Sequence, residues 1–352
     1  MKRIGYLFEQ ICDEENIKRA IITASKGKRD RARVKTIIDN ADHYALMLKW
    51  LLESKIYEPS PYRVFTITDG CSKKQREISA PKFYPDQVVH WAVMQIIQPH
   101  LERSMYHLSC GSRQGKGAHY GKRYLERWLR NDKKHTKYCL KLDIKKYYPS
   151  INHDKLKELL RAKFKDDDLL HLLDLIIDST DEGIPIGNYT SQWFANFYLT
   201  PLDHYIKETL RVKYYIRYMD DMILLGGNKK DLHKAKDLIE EFIKPYGLTL
   251  KENWQVFRVD DRSIDFMGFR FYHDRTVLRR RTALRIRRRV RKAYRKLNYA
   301  NATAVISYLG WIKHADMHNF HLRYIQPYFN IKKAKEVIRN ESRKYRTPGF
   351  AV

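Results

Sequence analysis

Two adjacent carboxylates, Asp220 and Asp221, follow Tyr218-Met219 between the apolar runs Tyr214-Tyr215-Ile216 and Met222-Ile223-Leu224-Leu225. β-rich residues on both sides predict a hairpin with the carboxylates at its tip. Paired aspartates cannot both shed water and stay ionised without a counter-charge, so here they either remain solvated or hold a divalent metal. Asp also favours turns for local hydrogen-bonding reasons, and on four residues alone a plain turn is an equal reading. A third carboxylate separates the two. Lys137-Tyr138-Cys139-Leu140-Lys141-Leu142-Asp143-Ile144 has the composition of a strand and brings Asp143 to its end. Carboxylates on neighbouring strands are what two-metal phosphoryl transfer requires. Two Mg²⁺ about 3.5–4 Å apart lower the pKa of an attacking hydroxyl and neutralise charge on the leaving pyrophosphate. Asp143, Asp220 and Asp221 are the expected catalytic residues and, with Ile144, the expected metal ligands.

Around these residues the pattern shifts along the chain. Residues 1–55 read as helical, with Leu46, Leu48, Trp50, Leu51 and Leu52 in one run before Pro59-Ser60-Pro61 breaks it. Arg63-Val64-Phe65-Thr66-Ile67 and Glu77-Ile78 flank the loop Asp69-Gly70-Cys71-Ser72-Lys73-Lys74, a predicted hairpin whose lysines could cover a triphosphate. From about Thr136 to Arg275 strands and helices alternate, and from about Thr276 the chain is basic and helical. Gly187 permits a tight turn before Asn188-Tyr189-Thr190-Ser191, where Thr190 or Ser191 is expected to cap a helix ending or kinking at Thr200-Pro201.

Composition agrees with an anionic substrate. The chain has 352 residues, and 69 Lys and Arg against 41 Asp and Glu leave a net charge of +28, which points to a polyanionic partner. Eleven Lys or Arg fall between Arg279 and Lys296, interleaved with Ala283, Leu284, Ile286, Val290, Ala293 and Tyr294. A helix there turns apolar residues to a core and a basic surface to nucleic-acid phosphates. An amphipathic helix on an anionic membrane is the other reading, and no companion signal supports it. The 43% of hydrophobic residues suffices for a core, and no stretch approaches the roughly 18 apolar residues of a membrane span. The N-terminus lacks the apolar core of a signal peptide, which makes the cytoplasm of a bacterial or phage-infected cell the expected location. Cys12, Cys71, Cys110 and Cys139 show neither CxxC pairs nor zinc spacing and are expected to be reduced.

The carboxylates and their flanks resemble the reverse transcriptase family, and the resemblance extends over most of residues 56–325. Arg76-Glu77-Ile78-Ser79-Ala80-Pro81 with Asp86-Gln87-Val88-Val89 resembles the first fingers block, and Ser109 to Gly117 the second. Asp143 to Ile151 resembles the first palm block, Ile186-Gly187-Asn188-Tyr189-Thr190-Ser191-Gln192 the glycine-loop block, and Phe266-Met267-Gly268-Phe269 the primer grip. The resemblance implies an α+β right-hand polymerase: an N-terminal helical extension (1–55), fingers (56–135), a palm of antiparallel sheet plus helices (136–275, with part of the fingers inserted around 152–185) and a basic helical thumb (276–352). It implies RNA-templated DNA synthesis on a DNA or RNA primer from dNTPs.

Within that family, Ile186-Gly187 and Ser191-Gln192 stand where most prokaryotic relatives have Gln-Gly and Ser-Pro. With Ser307-Tyr308-Leu309-Gly310-Trp311-Ile312-Lys313-His314-Ala315-Asp316, this is most like the reverse transcriptases of diversity-generating retroelements. Those copy a template repeat with errors opposite adenine and work with a small basic helical accessory protein. A retron or defence-associated enzyme is the alternative within the class, and a non-catalytic RNA-binding scaffold the alternative outside it.

The resemblance also assigns individual roles. Tyr148 stands where an aromatic ring excludes a 2′-hydroxyl, although either Tyr147 or Tyr148 could be plain core. Arg76 is placed on the triphosphate, with template backbone as the other reading, and Lys73 and Lys74 are weaker candidates for the same pocket. Ile186, Gly187 and Gln192 are expected at the nascent pair. Relatives have an amide side chain where Ile186 stands, and an apolar contact rejects a mispair only weakly. Arg113 and Lys116 are expected on template backbone, Met267, Gly268 and Phe269 at the primer end, and Arg285, Arg288, Arg289 and Lys292 on the nucleic-acid backbone. A lysine that protonates pyrophosphate has no clear counterpart, since Trp254 occupies its register and Lys251 lies three residues early.

Overall fold

The protein's structure is a computed structural model that describes residues 3–68 and 75–344. The expected fingertip loop, with Lys73 and Lys74, lies outside the described residues. Helix and sheet are mixed in an α+β chain that divides into two compact units. The first contains residues 1–114, 140–224 and 230–255, and the second residues 115–139, 225–229 and 256–352.

The first unit begins with four helices, α1 (Phe8–Cys12), α2 (Glu14–Ala24), α3 (Ala32–Asp39) and α4 (Ala41–Glu53), as the apolar spacing of the first 55 residues predicts. Asp13 caps α2 by accepting the Asn16 N–H at 2.9 Å, and Glu14 and Glu15 complement the helix dipole. β1 (Arg63–Thr68) and β2 (Gln75–Ala80) pair antiparallel as the expected hairpin. α5 (Val88–Ser104) packs on α2 and against α9 (Tyr189–Tyr198).

Four adjacent strands of a five-stranded sheet, β3 (Ser109–Cys110), β5 (Tyr214–Tyr218), β6 (Asp221–Gly226) and β4 (Tyr138–Asp143), follow one another in that order. β3 runs parallel to β5, Ser109 opposite Arg217 and Cys110 opposite Tyr218, so the sheet is mixed rather than wholly antiparallel as expected. Its interior strands are almost continuously apolar, as strands covered on both faces must be.

α9 is helical from Tyr189 with Asn188 at the N-cap, two or three residues before the caps expected at Thr190 or Ser191. Both of those side chains are buried in the first turn, and Asn188 instead donates from its amide to the Tyr62 hydroxyl at 2.7 Å. The chain breaks as expected before α10 (Thr200–His204), where Pro201 sits in the first turn.

The second unit contains α6 (Ala118–Asn131), the meander β8 (Ile264–Phe266), β9 (Phe269–Phe271) and β10 (Thr276–Leu278), and α12 (Arg280–Arg295) to α15 (Ile331–Lys344). Met267 and Gly268 join β8 to β9 with φ of 49° and 87°, the two left-handed positions of a tight hairpin turn. α12 buries Ile286, Val290 and Ala293 and exposes Arg288, Arg289 and Lys292, with Arg285 half-buried, the amphipathic division its sequence predicts. Cys12, Cys110 and Cys139 are buried, and among the described residues no helix is long and apolar enough to cross a membrane.

Candidate active site

The end of β4 is pinned by the chain at 249–251. Lys145 donates its N–H to Thr249 O and Lys251 its N–H to Asp143 O, each at 2.8 Å, and Ile144 bridges to Leu250. This brings the Lys251 ammonium onto Asp143, where it donates to Oδ2. The other oxygen, Oδ1, is buried with no hydrogen-bond partner. A buried carboxylate oxygen left without a donor is an acceptor waiting for a cation or a proton.

The β5–β6 hairpin places Asp220 beside the Asp143 carboxylate. Burial first, then the charges of Asp143 and Asp221, push the Asp220 carboxyl up to about 6. Crowded carboxylates of this kind resist common ionisation and reward a divalent counter-ion. The fit to such an ion rests on the orphaned Asp143 Oδ1 and the crowded Asp220, although among the described residues no group of three His, Cys, Asp or Glu is arranged as a ready-made metal cage.

Tyr148 belongs to the same electrostatic neighbourhood. Burial and then the Asp220 charge raise its phenol to about 12, while Arg76 works the other way. Arg76 on β2 and Asp220 thus both act on Tyr148. Tyr147 is core, its hydroxyl donating to Ala195 O.

The glycine loop is tied to the same strand. Ser79 donates its N–H to Ile186 O at 2.9 Å, and Gly187 lies so close that a Cβ there would stand 2.2 Å from Ser79 O, at a φ of 150°. No side chain fits at 187. Ile186 is half-buried, and Gly187 and Gln192 face a cavity of about 770 Å³ whose lining includes Tyr62, Arg63, Trp91 and Tyr189. His90 also lines it, wholly buried with Nδ1 unpartnered, and burial lowers its pKa to about 3.

A buried network that the motif reading missed supports the Asp220 turn. Arg217 Nη1 donates to Met219 O at 2.9 Å, and Nη2 donates to Ser109 Oγ at 2.8 Å and to Asp203 Oδ2 at 2.5 Å. Tyr215 donates to the other Asp203 oxygen at 2.6 Å, and Asn196 donates to Gly111 O at 3.0 Å. Both ionised side chains are fully buried, and Asp203 outweighs the burial that would discharge Arg217. The signal was present: an arginine in the run Tyr214-Tyr215-Ile216 must find a partner inside.

Two of the expected nucleic-acid contacts are corrected. Arg113 is turned inward, donating to Glu102, to Tyr106 O at 2.8 Å and to Ser109 O at 2.9 Å, so it braces its loop instead of offering charge to a template. Its strand–turn neighbourhood supplies three acceptors, which a solvent-facing position would not. Phe269 is buried in the second unit against Phe271 and Trp311, ring centroids 6.1 and 5.4 Å away, which removes it from any primer end. Lys116 is half-buried, while Met267 and Gly268 form the turn described above.

A family described as reverse transcriptase (RNA-dependent DNA polymerase) matches residues 68–271, more than half of the chain. Among curated proteins, the retron Ec73 reverse transcriptase of Escherichia coli is 29% identical over 155 residues, covering 40% of this chain and 49% of its own. The retron Se72 reverse transcriptase of Salmonella heidelberg (strain 579083-10) is 24% identical over 215 residues, covering 58% of this chain and 52% of its own. The matches thus span about half the length of each relative. Among solved structures, telomerase from Candida albicans in complex with a TWJ fragment of telomeric RNA superposes with a TM-score of 0.49 at 13% identity, covering 81% of this chain and 58% of that one. Apo telomerase from Candida tropicalis, truncated of its C-terminal domain, gives 0.46 at 15% identity, covering 66% and 58%.

Proposed function

Since this chain belongs to the reverse transcriptase family, we propose that it extends a DNA or RNA primer on an RNA template with dNTPs by two-metal phosphoryl transfer. The observation that carries the proposal is the meeting of Asp143 and Asp220, one Asp143 oxygen being buried without a donor and Asp221 adding its charge. Those three carboxylates, with the carbonyl of Ile144, would hold two Mg²⁺, which when bound supply acidity to the primer hydroxyl and charge to the leaving pyrophosphate. Lys251 keeps Asp143 Oδ2 occupied and so turns Oδ1 toward the site, which makes it a positioning residue. Tyr148 forms the wall that excludes a 2′-hydroxyl, and Arg76 faces the triphosphate of the same nucleotide. The cavity beside Gly187 and Gln192, basic and aromatic, suits the template strand at the nascent pair, with Ile186 offering it no hydrogen bond.

Two deployments follow from different observations. The retron relatives favour a retron-like enzyme that copies a structured RNA of its own. Ile186, Ser191-Gln192 and the 307–316 segment favour error-prone copying for targeted diversification, which adds a small basic helical accessory protein. Primer extension on an RNA template with Mg²⁺ and dNTPs, followed by product sequencing, tests both. Extension that disappears in Asp220→Asn/Asp221→Asn supports the polymerase, whereas extension that survives refutes the assigned site. Errors concentrated opposite adenine and reduced by Ile186→Gln support diversification, and evenly spread rare errors support the retron-like reading.

A further inference from the structure

Tyr148 has to be held by something other than the sheet. It lies five residues beyond Asp143, where β4 ends, in the single 3₁₀ turn Tyr148–Ser150, and a turn of that length has no ladder of hydrogen bonds to fix it. On the ring side it meets Tyr147 edge to face, with centroids 5.9 Å apart at 72°. On the backbone side it meets the loop from Asp178 to Ile184, which leaves α8 (Asp167–Ile177) and leads into Ile186 and Gly187.

That loop is pressed onto the Tyr148 turn. Gly183 is buried at a φ of 59°, and a Cβ there would stand 2.5 Å from both Tyr148 O and Pro149 Cα, so a side chain at 183 could enter only by pushing the turn away. The next residue, Ile184, donates its N–H to Tyr148 O at 3.0 Å. The contact is backbone on backbone, with no flexible side-chain end on either partner to give way.

The loop is itself fastened from outside. Gly183 O accepts from His153 Nε2 at 2.6 Å and from Thr180 Oγ1 at 2.9 Å, and the other His153 nitrogen faces Asp178 at 3.2 Å. Lys157 engages the same Asp178 at 2.6 Å. His153 and Lys157 are one turn apart on α7 (His153–Lys163), so one helix face holds both the start and the end of the loop. A cleft of about 470 Å³ opens beside Pro149, His153 and Gly183, so on that side the Tyr148 turn is backed by these few contacts and not by a filled core.

We propose that Gly183 and His153 are positioning residues for sugar selection. The depth at which the 178–184 loop seats against Tyr148 sets how far the ring stands into the path of a 2′-hydroxyl, and His153 fixes that seating through the Gly183 carbonyl. The proposal rests on the reading of Tyr148 as the sugar gate and adds the part of the molecule that sets it. Steric exclusion falls away within a fraction of an ångström, so a backbone shift too small to unfold the loop is enough to open the gate. Both residues act through Tyr148 and not on the nucleotide.

The test measures kcat/KM of the full chain for single incorporation of a dNTP and of the matching rNTP on one annealed primer–template with Mg²⁺. Tyr148→Ala gives the ratio with the gate removed. The expected result is a preference for dNTP weakened about tenfold in Gly183→Ala and about threefold in His153→Phe, seen as a lower KM for the rNTP, and returned by His153→Gln, whose amide reaches the same carbonyl. In a Tyr148→Ala background the same two changes should add nothing. His153 is half-buried beside the cleft, so if Gly183→Ala fails to fold, the His153→Phe and His153→Gln pair decides. A preference that Tyr148→Ala weakens but neither Gly183→Ala nor His153→Phe does, or an equal effect of those changes without the Tyr148 ring, overturns the inference and leaves the gate reading standing. A preference untouched by Tyr148→Ala overturns the gate reading, and the inference with it.

Discussion

The turn at Met219-Asp220 and the turn at Met267-Gly268 both hold a methionine in the left-handed region, at φ of 56° and 49°, but by opposite means. Beneath Met219 lies a fully buried ion pair whose guanidinium donates to the turn's own carbonyl. Beside Gly268 lies packing: a Cβ there would stand 3.0 Å from the Trp311 ring, and Trp311, His119 and Phe269 cluster around it, with His314 4.2 Å from His119 between ring centroids. Hydrogen bonds are directional and fail together when one partner goes, while apolar contact yields by degrees. The carboxylate turn therefore has its geometry fixed sharply, and the other turn is held in place with more tolerance.

The largest effect should come from Arg217→Met, which strands Asp203 as an unpaired buried charge and should cost about 3–5 kcal/mol in urea unfolding. Arg217→Met/Asp203→Leu should recover most of that stability without recovering primer extension, because Met219 O still lacks its donor. If the single change costs less than about 1 kcal/mol, the contrast between the turns collapses. Trp311→Ala should follow at about 2–4 kcal/mol and should be largely restored by Trp311→Phe, as graded packing requires.

Acid separates the units further. His90, in the first unit, has its folded pKa depressed from 6.5 to about 3 by burial, so the stability of the neutral form is whole above pH 6.5 and is lost as pH falls toward 3. The loss should reach about 2 kcal/mol by pH 5 and vanish in His90→Gln. His119 in the second unit is also lowered, by burial and then by His314 and Lys122, but it is less enclosed, and His119→Gln should flatten the profile less. Comparable to the His90 effect is Gly268→Ala, about 2 kcal/mol in the wild type and about half that in Trp311→Ala, where only the left-handed backbone still objects. Thermal unfolding of the four proteins of that cycle gives the coupling directly.

The strands and helices near the carboxylates were legible because local sequence determines them. Apolar runs of strand length bracket Asp143 and Asp220-Asp221, and α12 announces itself by its charge. What escaped depends on partners distant in sequence. Arg113 looked like a free cation in a glycine-rich loop, and nothing local shows that Glu102 and two carbonyls await it. Asp203 on α10 and Arg217 on β5 belong to separate elements and meet only in the fold. Phe269 reads as a motif residue, yet strand alternation already turned it inward with Phe271. The α9 cap was misplaced because Asn188, Thr190 and Ser191, within four positions, compete for one role, and tertiary contact with Tyr62 decides between them.

Gly187 pressed against Ser79 has a mechanical meaning. With the Ser79 N–H bonded to Ile186 O and no room for a side chain between the two backbones, the β1–β2 hairpin and the loop before α9 form one lever with its fulcrum at Ser79. A tilt of the hairpin cannot leave Ile186 and Gly187 behind, so the loop before α9 moves whenever the hairpin does. If Arg76 and Ile186 act as proposed, sensing of a nucleotide's phosphates and sensing of its base are a single displacement, and any substitution that loosens the fulcrum should blur both at once.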